Sequence, residues 1–115
     1  MNPSPHRGCL YWVVIPGEPD RKHRPALVVS VNSRNRLADD VLVIPASTTL
    51  RPAPTHVRLR RGTGGLPHDS VLKCEQITTL PKHLLSPSAL GGPLSEPLLE
   101  DIERGVLRAI GVPIP

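Results

Sequence analysis

Fifteen prolines and nine glycines lie between short apolar runs of this 115-residue chain and never gather into a tract. Proline ends helices and lacks the N–H that a central strand must supply, so each one shortens the element around it. The chain is thereby limited to short strands punctuated by turns, and the apolar runs between the breakers argue against disorder. The length suits one domain, residues 1–115, with 1–7 as a flexible N-terminus. Phe is absent, and one Trp and one Tyr are the only aromatics, so aliphatic side chains must fill the core.

Five strand candidates follow. Cys9–Ile15 ends at Pro16-Gly17, and Pro25–Val31 ends at Asn32-Ser33. Val41–Ala46 is nearly all apolar, the pattern of a strand buried on both faces. Thr55–Arg61 alternates, with Val57 and Leu59 inward and His56, Arg58 and Arg60 outward. Ser70–Thr79 reads as one strand that places Lys73 and Glu75 on the same face. Ser33–Leu37 is long enough for one helical turn, and a helix over 95–110 closes the chain. Ser95 is its expected N-cap, Leu94 and Leu99 its staple, and Gly111 its stop. Leu98, Leu99, Ile102, Val106 and Ile110 form its apolar stripe. This is a mainly β chain with a C-terminal α-helix, arranged as a small barrel or curled sheet.

The net charge is +4 and the pI about 9.7, which fits a polyanionic partner or a solvated basic face. The shortage of aromatics argues against a base-stacking platform. Cys9 and Cys74 are far apart, with no partner at metal-ligand spacing, and read as two buried free thiols of a reducing cytosol. Met1–Gly8 has no apolar region of a signal peptide, and no run approaches the ~20 residues of a membrane span. The expected location is the cytoplasm.

The step Arg24-Pro25 feeds directly into the apolar run Ala26-Leu27-Val28-Val29. Proline pushes its predecessor toward extended geometry, which puts Arg24 at the mouth of a strand with Pro25 as its first residue. A cation there is well placed to serve a site. Around this step the order of motifs resembles the MazF/PemK family of toxin endoribonucleases. The matching pieces begin with Arg7-Gly8, Leu10-Tyr11-Trp12-Val13 and Arg24 through Ser30. They continue with Pro45-Ala46-Ser47-Thr48, Gly65-Leu66, Ser70-Val71 and Lys73-Cys74-Glu75-Gln76, and close with Leu94–Gly111. The resemblance implies an SH3-like β-barrel of about five to seven short strands, usually a homodimer. It further implies sequence-selective cleavage of single-stranded RNA with no metal or other cofactor, and a cognate antitoxin that covers the RNA groove.

Transferred to this chain, the resemblance assigns catalysis to Arg24, Ser47, Lys73 and Glu75. Without a metal the substrate's 2′-OH must attack the phosphorus. A base, a neutralising charge and an acid are then required. Arg24 suits the charge, because its guanidinium matches phosphate in a bidentate way. Ser47 stands where the family usually carries threonine and offers a hydroxyl, with Thr48 beside it. Glu75 is the candidate base, or else an exposed ion pair with Lys73; Lys73 is a second charge or the acid. Nearby cations would lower the pKa of Glu75 and weaken it as a base. Arg21, Lys22 and His23 precede Arg24 in a shortened loop, Pro16–His23, and are placed to contact RNA. Arg58 and Arg60 either hold RNA backbone beyond the cut or belong to a solvated face. Of the histidines, His23 alone is expected near the site, and all five (His6, His23, His56, His68 and His83) read as surface groups. Two other readings use the same barrel: a non-enzymatic toxin that inhibits DNA gyrase, and an RNA-binding module that has lost its chemistry.

Overall fold

The structure, a computed structural model, describes residues 3–19 and 22–115. β1 (Leu10–Val14) and β2 (His23–Val28) form a hairpin, and helix α1 (Asn32–Leu37) leads into β3 (Asp40–Ser47). β4 (His56–Leu59), β5 (Ser70–Lys73) and β6 (Thr78–Pro81) follow, and helix α2 (Glu96–Ala109) comes last. All pairings are antiparallel, in the order β1-β2-β3-β5-β4, with β6 also on β3. The sheet curls like a barrel but remains open.

β3 is its spine. One edge pairs with β2, while the other takes β6 opposite Asp40–Val43 and β5 opposite Ala46–Ser47. Both edges are therefore paired, and both faces are buried in separate cores, as its unbroken apolar run requires. Neighbouring residues alternate between two cores. Leu27, Ile44, Ala46 and Leu72 lie with Leu99 and Ile102 of α2, whereas Val28, Val41, Val43 and Leu80 lie on the opposite side with Leu85. Each fully buried Leu or Ile contributes about 1.5–3 kcal/mol.

The expected single strand Ser70–Thr79 breaks into β5 and β6 around a 3-10 turn at Cys74–Gln76. The register supplies the reason. From Leu72 to Thr78 the chain takes six steps where β3 takes three, from Ala46 to Val43, and the turn absorbs the surplus. Cys74 turns inward there, its N–H donating to the Thr55 carbonyl at 3.0 Å. Both cysteines are free and buried as expected, though Cys9 precedes β1 and Cys74 lies in the turn, so neither is in a strand.

α2 comes close to that turn because of Gly105, a buried helix residue whose added Cβ would lie 2.7 Å from Cys74 Sγ. Ser95 is the N-cap residue, but its hydroxyl makes no capping bond, contrary to expectation. The other end behaves as expected. Gly111 has φ +89°, its N–H donates to Arg108 O, and the Val112 N–H donates to Leu107 O, the paired bonds of a Schellman stop. Ile110, expected on the apolar stripe, is 68% exposed. The outer edge of β1 is covered by the chain after β6: Ser86 N–H donates to Trp12 O, Leu90 N–H to Leu10 O, and Val13 bridges Leu85. Among the described residues no helix is long and apolar enough to cross a membrane.

Candidate active-site groove

β2 begins at His23, so Arg24 and Pro25 are its second and third residues and not its mouth, as the sequence suggested. Pro25 is tolerated for a reason visible in the ladder. Its partner Trp12 directs both backbone groups outward to Ser86, which makes this a non-hydrogen-bonded pair, and pairing with β3 starts only at Ala26. The missing N–H therefore faces a stretch with no ladder to complete.

The hairpin forms one wall of a groove of about 410 Å³ with Trp12, Lys22, His23, Arg24 and Pro25. The end of β3 forms the other with Ala46, Ser47, Thr48 and Thr49; Pro67, His68 and Ser70, before and at the start of β5, complete it. Among the described residues no carboxylate lines this groove, and its charge is positive.

Two side chains are held by specific bonds. Arg24 Nε donates to Glu18 Oε2 at 2.8 Å, which fixes the guanidinium plane with its side chain about a third exposed. Among the described residues its Nη groups make no hydrogen bond, so they can address a ligand in the groove. Ser47 Oγ accepts the Thr49 N–H at 3.1 Å, a local turn that spends a lone pair and leaves the hydroxyl proton to donate. A charged bidentate donor and an oriented hydroxyl thus face one space, an arrangement that suits a phosphate.

The structure brings Arg24, Ser47, Thr48, Lys22 and His23 into this one groove. Arg21 lies outside the described residues. Lys73, Glu75, Arg58 and Arg60 do not line it. Because the strand breaks at Cys74, Lys73 and Glu75 do not share a face of one strand, and Lys73 sits opposite His56 in the β4–β5 register. Glu75 instead accepts from Thr55 Oγ1 at 2.8 Å and meets His56 Nε2 at 3.2 Å. Partial desolvation pushes its pKa up, but the bonds from Thr55, from its own backbone and from His56 outweigh this and hold the carboxyl below its ordinary value. Arg58 is exposed, with Asp69 3.6 Å away, and Arg60 is exposed just beyond β4.

Sequence reasoning missed three contributors. His68 joins His23 in the groove, and Trp12, 38% exposed, adds an indole face despite the scarcity of aromatics. The pairing of Trp12 with Pro25 is the signal that could have found it, because cross-strand partners share a face. Glu18 reaches Arg24 from the β1–β2 loop, which no periodicity predicts. Among the described residues no three His, Cys, Asp or Glu side chains converge to hold a metal ion.

Comparison with known proteins agrees with this architecture. Residues 6–110 match the family model described as PemK-like, MazF-like toxin of type II toxin-antitoxin system. Endoribonuclease MazF6 of Mycobacterium tuberculosis is 33% identical over 110 residues, 90% of this chain and 95% of that protein; Endoribonuclease MazF2 of Mycobacterium bovis matches to the same extent. A mycobacterial endoribonuclease solved in complex with its cognate antitoxin superposes with a TM-score of 0.79 at 29% identity, covering 97% of this chain and all of that one. The MazE-MazF complex of Deinococcus radiodurans has the same fold, with a TM-score of 0.78 at 19% identity over 97% of this chain and all of that one. With six strands, a C-terminal helix and a family match spanning nearly its full length, the chain belongs to the PemK-like, MazF-like toxins of type II toxin-antitoxin systems.

Proposed function

We propose that this chain is a toxin endoribonuclease that cuts single-stranded RNA at selected sequences, using the substrate's own 2′-OH and no metal. The observation that carries the reading is the placement of Arg24 and Ser47 on facing walls of one basic groove. In the reaction the 2′-oxygen bonds to phosphorus as its proton leaves to a base, and the P–O5′ bond breaks as that oxygen takes a proton. The products are a 2′,3′-cyclic phosphate and a 5′-hydroxyl.

Arg24 neutralises the charge that builds on the phosphorane, the largest demand of such a step. A guanidinium does not give up its proton near neutral pH, so Arg24 binds and orients and does not act as acid. Ser47 donates its hydroxyl proton to the same phosphate. The proton transfers fall to His23 and His68, the imidazoles that line the groove. Glu75 and Lys73, first expected as base and acid, take supporting roles on the β4–β5 side. Trp12 offers a face on which a base can stack. A cognate antitoxin is the partner that the relatives solved with antitoxin support; this reading adds that it masks the groove and that the toxin acts as two copies of the chain.

The test is incubation of the wild type and Arg24→Ala with a long single-stranded RNA in excess EDTA, with fragment ends mapped by primer extension. Discrete cuts by the wild type alone, ending in cyclic phosphates, are expected. Cleavage that persists in Arg24→Ala overturns the assignment of Arg24. RNA left intact by both proteins overturns the enzyme reading in favour of binding alone.

A further inference from the structure

A separate cavity of about 240 Å³ lies where the N-terminal segment meets the chain that follows β6. Tyr11 and Leu85, buried members of the second core, line it together with Pro3, Pro5 and Pro87. Its polar groups are of one kind. The His6 N–H donates to Tyr11 Oη at 2.9 Å, so the phenol oxygen already serves as an acceptor. Among the described residues that hydroxyl donates to nothing, which leaves its proton for a ligand. Tyr11 is 6% exposed, and burial pushes its pKa above the ordinary value, so the proton stays in place at neutral pH. A buried hydroxyl with an unused proton calls for an acceptor.

Two further donors stand beside it. Lys82 is half-buried and His83 exposed, and among the described residues neither side chain has a hydrogen-bond or ion-pair partner. Ser86 also lines the cavity, but its hydroxyl is engaged: it accepts the Trp12 N–H at 3.1 Å and donates to Ser88 O at 2.9 Å. Among the described residues no carboxylate lines the cavity. Three donors around the Lys82 charge, with no opposing charge, select an anion. Their number narrows the class. A carboxylate offers two oxygens, whereas a phosphate monoester has three terminal oxygens, one for each donor. The proline rings and Leu85 add apolar surface for a flat group carried by that phosphate. The volume falls below the ~300–1,000 Å³ of pockets for drug-sized ligands and suits a single ring. Both sides of the cavity are fixed in advance. Cys9 N–H donates to His6 O at 3.1 Å, and Arg7 N–H to Asn32 Oδ1 at 2.8 Å. Lys82 N–H donates to Asp39 O at 2.9 Å, and Ser86 N–H to Trp12 O at 2.8 Å. Little ordering is then left for binding to cost.

We propose that this cavity binds a small phosphate monoester, held by the Tyr11 hydroxyl, the Lys82 ammonium and the His83 imidazole, with a flat apolar group against the prolines. The site is distinct from the Arg24 groove. Tyr11 and Trp12 are neighbours on β1 and point to opposite faces, so the cavity and the groove lie on opposite sides of that strand. Inorganic phosphate shares the anion chemistry and lacks the ring.

The experiment titrates the isotope-labelled full chain with phenyl phosphate, inorganic phosphate and benzoate at constant ionic strength and follows the backbone amides by NMR. Shifts at Tyr11, Lys82, His83 and Ser86 report the cavity, and shifts at Ser47, Thr48 and Thr49 report the Arg24 groove. Phenyl phosphate is expected to move the cavity amides with an affinity about tenfold above that of the other two probes. Inorganic phosphate lacks the ring, and benzoate lacks the third oxygen. Lys82→Ala and Tyr11→Phe should each weaken phenyl phosphate at the cavity about tenfold and leave its effect on the groove unchanged. Tyr11→Phe also strands the His6 N–H, so thermal unfolding checks that variant, and Lys82→Ala tests the site without touching the core. Shifts confined to the groove overturn the site, as does an affinity at the cavity that neither substitution changes. Inorganic phosphate that binds as tightly as the ester overturns the ester in favour of the free ion. Benzoate that binds as tightly overturns the selection of phosphate.

Discussion

Arg24 shows how a single contact divides one function between two residues. Its guanidinium is held at Nε by Glu18, which leaves the opposite edge for a phosphate. The carboxylate also places a negative charge near a site meant for a polyanion, so it orients at some cost in binding. In Glu18→Gln the shape is kept and the charge removed. RNA should bind more tightly while turnover falls, with each effect limited to about fivefold because a partly exposed ion pair is worth about 0.2–1 kcal/mol. Steady-state kinetics read this as KM and kcat falling together; an unchanged kcat means that Glu18 does not position Arg24. Arg24 was legible in the sequence because it stands next to Pro25 at the head of an apolar run, and Ser47 because the run Pro45-Ala46-Ser47-Thr48 carries the family resemblance. Glu18 was not, since a loop brings it back to the strand. His68 was not either, since its place depends on how the turn before β5 folds against β3.

Helices and strands carry a different lesson, centred on the turn at Cys74. Alternation read Ser70–Thr79 as one strand, and no pattern of polar and apolar residues reveals that β3 must pair first with β6 and then with β5. The same blindness put Lys73 and Glu75 on one face. What the sequence did contain is Gly105 in the middle of α2, a residue that weakens a helix by about 1 kcal/mol relative to alanine and so calls for a packing reason. Cys74 Sγ is that reason. Gly105→Ala should therefore destabilise the fold by about 1–3 kcal/mol through overpacking, despite better helix propensity. Cys74→Ala in the same chain should recover part of this loss, a coupling that urea unfolding of the four proteins measures. If the two changes are simply additive, the turn and the helix do not press on each other. Burial, and to a lesser degree the charge of Glu75, pushes the Cys74 thiol up to about 11, so it should resist alkylation until the protein unfolds.

The same turn predicts a pH dependence. The Glu75 pKa is lower folded than its ordinary 4.5, so its bonds to Thr55 and His56 contribute stability that is present above that value. The contribution is lost as the pH falls from 4.5 through the lower folded pKa. Glu75→Gln should lower the thermal midpoint at neutral pH and match the wild type in acid. A gap that stays constant across this range means that the ionised carboxylate is not what holds the turn.

At the scale of the whole molecule, the +4 charge is less informative than where its cations lie. Lys22 and Arg24 line the groove, and Arg51 and Arg58 line a cavity under the β3–β4 connection; the register joins the two through Ser47, Val71 and Arg58. Composition suggested a polyanion or a solvated face and had no means of choosing, because register brings these residues together and register is a property of the assembled sheet. The open β fold with its closing helix was legible for the opposite reason: its turns, its buried central strand and its helix stop are each written locally. If a strand of RNA occupies all four cations, it releases counterions from about four phosphates, and log K should fall with log salt at a slope near −3, about −0.7 for each contact on a single strand. Fluorescence anisotropy over a salt series with a cleavage-resistant RNA, deoxy at the cut, measures that slope. Occupation of the Arg24 groove alone predicts about half of it. The slope therefore reports how far across the sheet the strand travels, independently of whether it is cut.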